Sequence, residues 1–241
     1  MASAPLPFGG GCRYKLAVNE STNRVYVTNG CSDTVTVVDG GSAQVVASLT
    51  FSGGAGGVAI DSTTNRIYIV YQGGITTLDG NNNTVLSTMN IDFGDLGGFG
   101  PRELAFNPNT KRLYVTNEGA PGLIVVDTQT NSVVATIRDV AGFTGVAVNL
   151  VTNRVYTFGI NGGVAVIDGA SNTIIRTVDV MGSTDRIIGG IAVNRATNRV
   201  YATDANSSFA YMFDDSQTTS TVRARPILPV PTPTPTVRPA Q

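Results

Sequence analysis

The stretch NRVYVTNG, residues 23–30, returns four times along the chain, as NRIYIVYQ (65–72), KRLYVTNE (111–118), NRVYTFGI (153–160) and NRVYATDA (198–205). Its tyrosine falls at Tyr26, Tyr68, Tyr114, Tyr156 and Tyr201, so successive copies lie 42, 46, 42 and 45 residues apart. A near-constant period of this size marks a chain assembled from copies of one small unit.

Each unit divides into four short runs rich in β-branched residues. In the first they are YKLAVN (14–19), RVYVTN (24–29), TVTVVD (34–39) and QVVASLTF (44–51), separated by the turn signals ESTN, GCSD and GGSA. Four antiparallel strands in 42–46 residues is the period of a propeller blade. A β-helix needs a shorter period, and helical repeats need a 3.6-residue pattern that is missing. Runs such as VTVVD, LIVVD and VAVID are too continuously apolar for a sheet with one wet face. Blades stacked face to face bury both faces. The expected fold is therefore all-β, a β-propeller of five four-stranded antiparallel blades. We expect it to close as a ring without strand exchange, since an open array exposes the outer faces of its first and last blades.

YVTN occurs literally at 26–29 and 114–117, and the first copy is followed by DTVTVVD. With these motifs the chain resembles the YVTN β-propeller repeat family over residues 13–225. The resemblance implies the fold and an affinity with surface-layer and secreted proteins, and it assigns no chemistry. Residues 1–12 read as an N-terminal extension. Residues 226–241, PILPVPTPTPTVRPAQ, read as an extended Pro/Thr-rich tail, because alternating proline cannot join a sheet ladder and favours polyproline II.

Composition narrows the function. The 241 residues carry a net charge of −1, with no basic field for a phosphate backbone, so no nucleic-acid partner is expected. No apolar run reaches the length of a membrane span, so no membrane insertion is expected. The start, MASAPLPFGGG, does not read as a signal peptide. Histidine is absent, which removes the Ser–His–Asp triad, imidazole metal ligation and the ordinary imidazole base. We expect no enzyme, no catalytic residue, no metal and no cofactor. DFG (92–94), GDLGGFG (94–100) and DGNNNT (79–84) resemble kinase, dinucleotide and calcium motifs but lack the elements that complete them. Sequons at Asn19, Asn82 and Asn206 matter only in a host that glycosylates.

The two cysteines carry more. A register that pairs 19 with 24 and 14 with 29 extends to place Cys12 opposite Cys31, close enough for a disulfide, with two adjacent free thiols as the alternative. A bridge implies an oxidising compartment. The repeated arginines (Arg24, Arg66, Arg112, Arg154, Arg199) and aspartates (Asp39, Asp79, Asp127, Asp168, Asp214) read as one ion pair per blade at the hairpin ends. Two connections are longer than the rest, 90–103 and 180–190. Binding residues in repeat folds sit on such loops, so we expect a partner-binding face carrying Phe93, Phe99, Arg102, Glu118, Asp185 and Arg186. The expected function is an extracellular or cell-surface structural or adhesive propeller. It is a component of a surface layer or filament, with self-association or another surface protein as its contact. The alternative is a binding module presenting one loop face to a protein or glycan, and an enzyme or cofactor-holding subunit is the third class.

Overall fold

The computed structural model describes residues 14–30, 32–93, 100–118, 121–141, 145–158, 163–179, 188–204, 210–216 and 225–227. They form five four-stranded sheets, each from one contiguous stretch of chain. Blade 1 holds β1 (Tyr14–Asn19), β2 (Arg24–Asn29), β3 (Thr34–Asp39) and β4 (Val45–Thr50). Blade 2 holds β5 (Ala55–Asp61), β6 (Arg66–Tyr71), β7 (Gly74–Asp79) and β8 (Val85–Asn90). Blade 3 holds β9 (Gly100–Asn107), β10 (Arg112–Glu118), β11 (Pro121–Asp127) and β12 (Ser132–Ala141). Blade 4 holds β13 (Val146–Asn149), β14 (Arg154–Phe158), β15 (Val164–Asp168) and β16 (Thr173–Val178). Blade 5 holds β17 (Ile188–Asn194), β18 (Arg199–Asp204), β19 (Ala210–Asp214) and β20 (Arg225–Ile227). Among the described residues no strand is exchanged between the first and last sheets. Pro226, read from sequence as the first residue of the tail, pairs instead with Tyr211 in the outer strand. An outermost strand tolerates proline because half its ladder has no partner.

Turn chemistry sets these boundaries. The residue before each repeated arginine is left-handed: Asn23, Asn65, Lys111, Asn153 and Asn198 have φ of 51–56°. Asparagine is the non-glycine residue that enters this region most readily. The β3–β4 type of turn repeats a second left-handed position at Ala43, Asn83, Asn131 and Asn172. The aspartate at its start accepts backbone N–H bonds, as Asp168 Oδ1 does from Ala170 at 3.1 Å and Ser171 at 2.7 Å.

The core lies between blades. Four clusters fill the four interfaces, each pairing the repeated tyrosine's face of one sheet with the opposite face of the next. Between blades 1 and 2, Tyr26, Val35 and Val37 meet Val58, Ile67 and Leu78. Between blades 2 and 3, Tyr68, Met89 and Phe93 meet Leu104, Leu113 and Ile124. The inner strands approach closely there: a Cβ on Gly57 would sit 2.7 Å from the backbone nitrogen of Leu104.

The expected ring closure is not seen among the described residues. Inner strands pack in single file, β1 on β5, β5 on β9, β9 on β13 and β13 on β17, and among the described residues β17 makes no comparable contact with β1. Leu16 of β1 is 66% exposed, whereas Val58, Leu104 and Val146 at the same position of the next three blades are 5–7% exposed. Tyr201 is half-buried, while its four counterparts are buried. The first and last blades each leave one face partly uncovered.

Candidate functional site

Two arrangements of polar groups stand out: a clamp repeated between blades and a cleft at one end of the inner strands.

The clamp is built at the end of each inner strand. Asn19, Asn107 and Asn149 are fully buried. Each uses its side-chain carbonyl to accept from the backbone two residues on (Ser21, Asn109, Val151; 3.0–3.1 Å). The amide is then free to donate to the left-handed asparagine of the next blade: Asn19 to Asn65 at 2.7 Å, Asn107 to Asn153 at 2.8 Å and Asn149 to Asn198 at 3.1 Å. The blade 2–3 junction departs from this. Asp61 has no amide to donate, and its partner is Lys111, with Nζ 3.7 Å from Asp61 Oδ2.

The arginines also reach across blades. Arg24 Nη1 donates to the carbonyls of Gly80 (3.3 Å) and Asn81 (2.8 Å), and Arg112 Nη1 to those of Gly169 (3.1 Å) and Ala170 (2.8 Å). The Tyr26 hydroxyl donates to Asn83 Oδ1 at 2.7 Å, and the Tyr114 hydroxyl to Asn172 Oδ1 at 3.1 Å. The expected register is present, with Arg24 opposite Asp39 and Arg154 opposite Asp168. The expected ion pair is not: among the described residues none of these arginines is bridged to the aspartate across from it. The aspartates are taken by their own turns, and turn N–H and Ser42 hydroxyl bonds hold the Asp39 carboxyl below its ordinary range.

At the blade 4–5 junction the turn residue is Asp215, fully buried. Its carboxylate accepts from Arg154 Nη1 (2.7 Å), Arg176 Nη2 (3.3 Å), Thr152 Oγ1 (2.6 Å) and Asn149 Nδ2 (3.3 Å). Burial pushes the Arg176 guanidinium below its ordinary value, against the pull of Asp215. Burial, and then Asp215 itself, raise the Tyr156 phenol.

The cleft, about 500 Å³, opens where the inner strands of blades 1–3 begin. Its wall is largely backbone, from Gly30, Gly53, Gly54, Gly56 and Gly100. Gly53 and Gly54 are left-handed, and their N–H groups donate to Asp33 Oδ1 at 3.0 and 2.8 Å. Its charges are Lys15, Arg102, Glu103 and Glu118. Lys15 Nζ meets Glu103 Oε2 at 2.9 Å, and the same oxygen accepts from the Gly145 N–H at 2.9 Å. Arg102 is ion-paired with Glu118.

Arg102 and Glu118 thus come together at the rim of the cleft. Phe93 does not: it is fully buried in the blade 2–3 cluster and is no surface anchor. Phe99, Asp185 and Arg186 lie outside the described residues, as do Cys12 and Cys31, although β1 and β2 pair Tyr14 with Asn29 in the register that points to the cysteines. Sequence reasoning missed Lys15, Glu103 and Asp215. Their signal was departure from the repeat: an acid inside an inner strand at PRELAF (101–106), and DD at 214–215 where other blades read DG or DT. The calcium-like DGNNNT is a turn, with Asp79 Oδ1 accepting from the Asn81 N–H at 2.7 Å. Among the described residues no cluster of three metal-ligating side chains occurs and no helix is long and apolar enough to cross a membrane.

Among solved structures the chain resembles Kuenenia stuttgartiensis hydrazine synthase, with a TM-score of 0.70 at 12% identity over 88% of this chain and 66% of that one. It also resembles the β-propeller domain of Myceliophteria thermophila Cps50 (Swd1), with a TM-score of 0.68 at 12% identity over 86% and 66%. The fold is a β-propeller. No family model matches the chain. In sequence it is 28% identical over 170 residues to the uncharacterized protein YncE of Salmonella typhi, covering 68% of this chain and 47% of that protein. It is 28% identical over 127 residues to YncE of Escherichia coli K12, covering 51% and 35%. The chain spans about half the length of the curated relatives it matches.

Proposed function

We propose that the chain is a propeller of the YVTN-repeat type in an extracellular or cell-surface protein, and that it acts as a non-catalytic binding module presenting its cleft to a glycan or a polar protein loop. The observation that carries this reading is the cleft: concave, largely backbone-walled, and bordered by two part-exposed ion pairs, Lys15–Glu103 and Arg102–Glu118. Glycine walls let a ligand approach the main chain, and partly exposed ion pairs exchange partners at little cost, since such pairs contribute only ~0–1 kcal/mol. The missing histidine and the cysteine register support the non-catalytic and extracellular parts.

Glycan-array and peptide-array binding of the purified chain tests it. A ligand class should bind the parent and bind the Arg102→Ala and Lys15→Ala variants at least tenfold more weakly, while their circular dichroism stays unchanged. Equal binding by parent and variants contradicts the assignment. The second reading, a structural component of a surface layer or filament, is favoured by the partly uncovered faces of blades 1 and 5.

A further inference from the structure

The cleft is where the internal repeat stops repeating. The eighth residue of the repeated phrase is Gly30 in blade 1, Gln72 in blade 2 and Glu118 in blade 3, and all three line the cleft. A second position behaves in the same way. Ala17, Ala59, Ala105, Ala147 and Ala192 lie opposite the five repeated tyrosines. Two residues before each of them the chain reads Lys15, Gly57, Glu103, Gly145 and Gly190. The side chains at this otherwise glycine position are the two that form the Lys15–Glu103 pair. Glycine leaves room for it: a Cβ on Gly57 would lie 2.9 Å from the Glu103 Cα. In a repeat fold the scaffold is set by the positions that recur, and binding by those that do not.

Unused hydrogen-bonding capacity converges there. Among the described residues Lys15 Nζ donates to Glu103 Oε2 alone, which leaves the other N–H groups of its ammonium free. Glu103 accepts from Lys15 and from the Gly145 N–H on that same oxygen, which leaves Oε1. Gln72 is exposed and makes no hydrogen bond among the described residues. Its side chain is nevertheless packed between two backbones. A Cβ on Gly53 would lie 2.7 Å from the Gln72 Cβ, and one on Gly100 would collide with the Gln72 Oε1. Both glycines are left-handed, with φ of 91° and 131°.

Charge decides between ligand classes. The lining sets Lys15 and Arg102 against Glu103 and Glu118 and so carries no net charge. Asp33 sits on the Gly53 and Gly54 N–H groups beside it. An anionic ligand therefore meets carboxylates and a cationic one meets Lys15 and Arg102. A neutral polyol meets neither opposition. Each sugar hydroxyl donates and accepts, so neighbouring hydroxyls of one ring match an ammonium and a carboxylate 2.9 Å apart. The volume of about 500 Å³ lies in the range of small-molecule sites.

We propose that the cleft takes a neutral saccharide, whose hydroxyls are bound by Gln72, Lys15 and Glu103. This rests on the reading of the cleft as a binding site and narrows its ligand class.

Isothermal titration calorimetry of the full chain tests it. The probes are maltotriose, cellotriose and mannotriose, which are neutral, against trigalacturonate and a peptide rich in serine and asparagine. A neutral trisaccharide should bind more tightly than trigalacturonate and the peptide. Its affinity should change by less than about twofold between about 0.1 and 1 M salt, because no net charge is exchanged. Gln72→Ala and Glu103→Gln should each weaken it by about tenfold. Gln72 is exposed, so circular dichroism of its variant should match the parent. Trigalacturonate or the peptide binding as tightly as the neutral sugars, with loss in Arg102→Ala, overturns the neutral-saccharide assignment and leaves the cleft a binding site. A neutral sugar bound equally by the parent and both variants overturns the assignment of these residues. No binding by any neutral probe overturns the proposal, and the wider reading falls with it only if the glycan and peptide arrays are blank as well.

Discussion

Replacing Asp215 with alanine should be the most damaging single change at a polar position. The side chain is fully buried and accepts from Arg154, Arg176, Thr152 and Asn149 at 2.6–3.3 Å. The Arg176 side chain is itself only 6% exposed, so removing the carboxylate leaves a buried guanidinium without its counter-ion. Breaking a buried pair in this way costs about 3–5 kcal/mol. For a chain of this size each kcal/mol lowers Tm by about 2–4 °C, so the expected fall is about 6–20 °C. Blade 5 should loosen first, because Asp215 ties it to blade 4 and each blade depends on its neighbour. Thermal circular dichroism measures the fall, and amide exchange locates it in β17–β19. Asp168→Ala, one position earlier in the matching turn of blade 4, removes only a half-buried turn cap and should cost clearly less. Equal destabilisation by the two changes, or an Asp215→Ala shift under about 2 °C, would refute the reasoning.

Asp61→Asn or Lys111→Asn alone should destabilise, whereas the double variant recreates the Asn–Asn clamp of the other junctions and should recover about 1 kcal/mol of coupling in a double-mutant cycle by chemical denaturation. Cys12 and Cys31 are expected to be bridged, read as a linked peptide under non-reducing mass spectrometry, and reduction should cost ~3 kcal/mol for a loop of this length. The turn carboxyls Asp39, Asp127, Asp168 and Asp214 are all held below their ordinary values, chiefly by hydrogen bonds within their own turns. A depressed folded-state value contributes stability above the unfolded pKa of about 4 and loses it as pH falls through the folded value. Tm should therefore be flat from neutral pH to about 5 and fall below about 4; a maximum in acid would contradict this.

Much of the blade was legible because its signals are local. Turn chemistry and alternation place β1–β3 within the expected bounds, and antiparallel pairing from one turn predicts Tyr14 opposite Asn29 and Arg24 opposite Asp39. What faces the neighbouring blade was not legible. The in-sheet partner of Arg24 is Asp39, but its guanidinium crosses to Gly80 and Asn81, a contact set by how sheets stack and not by residue spacing. Phe93 read as a loop aromatic beside glycines. Yet Met89, Ile91 and Phe93 are all buried at every second residue, so the alternation of β8 runs past its end. Ring closure was not legible because five in-phase units say nothing about whether the fifth meets the first.

Amide hydrogen exchange of the dilute parent chain, resolved by inner strand, tests the central claim most directly. Four junctions with partly open ends predict slow exchange in β5, β9 and β13, which are covered on both sides, and markedly faster exchange in β1 and β17. Protection of β1 and β17 equal to that of β9, under conditions where the chain is monomeric, would show that the fifth blade meets the first and would contradict the account.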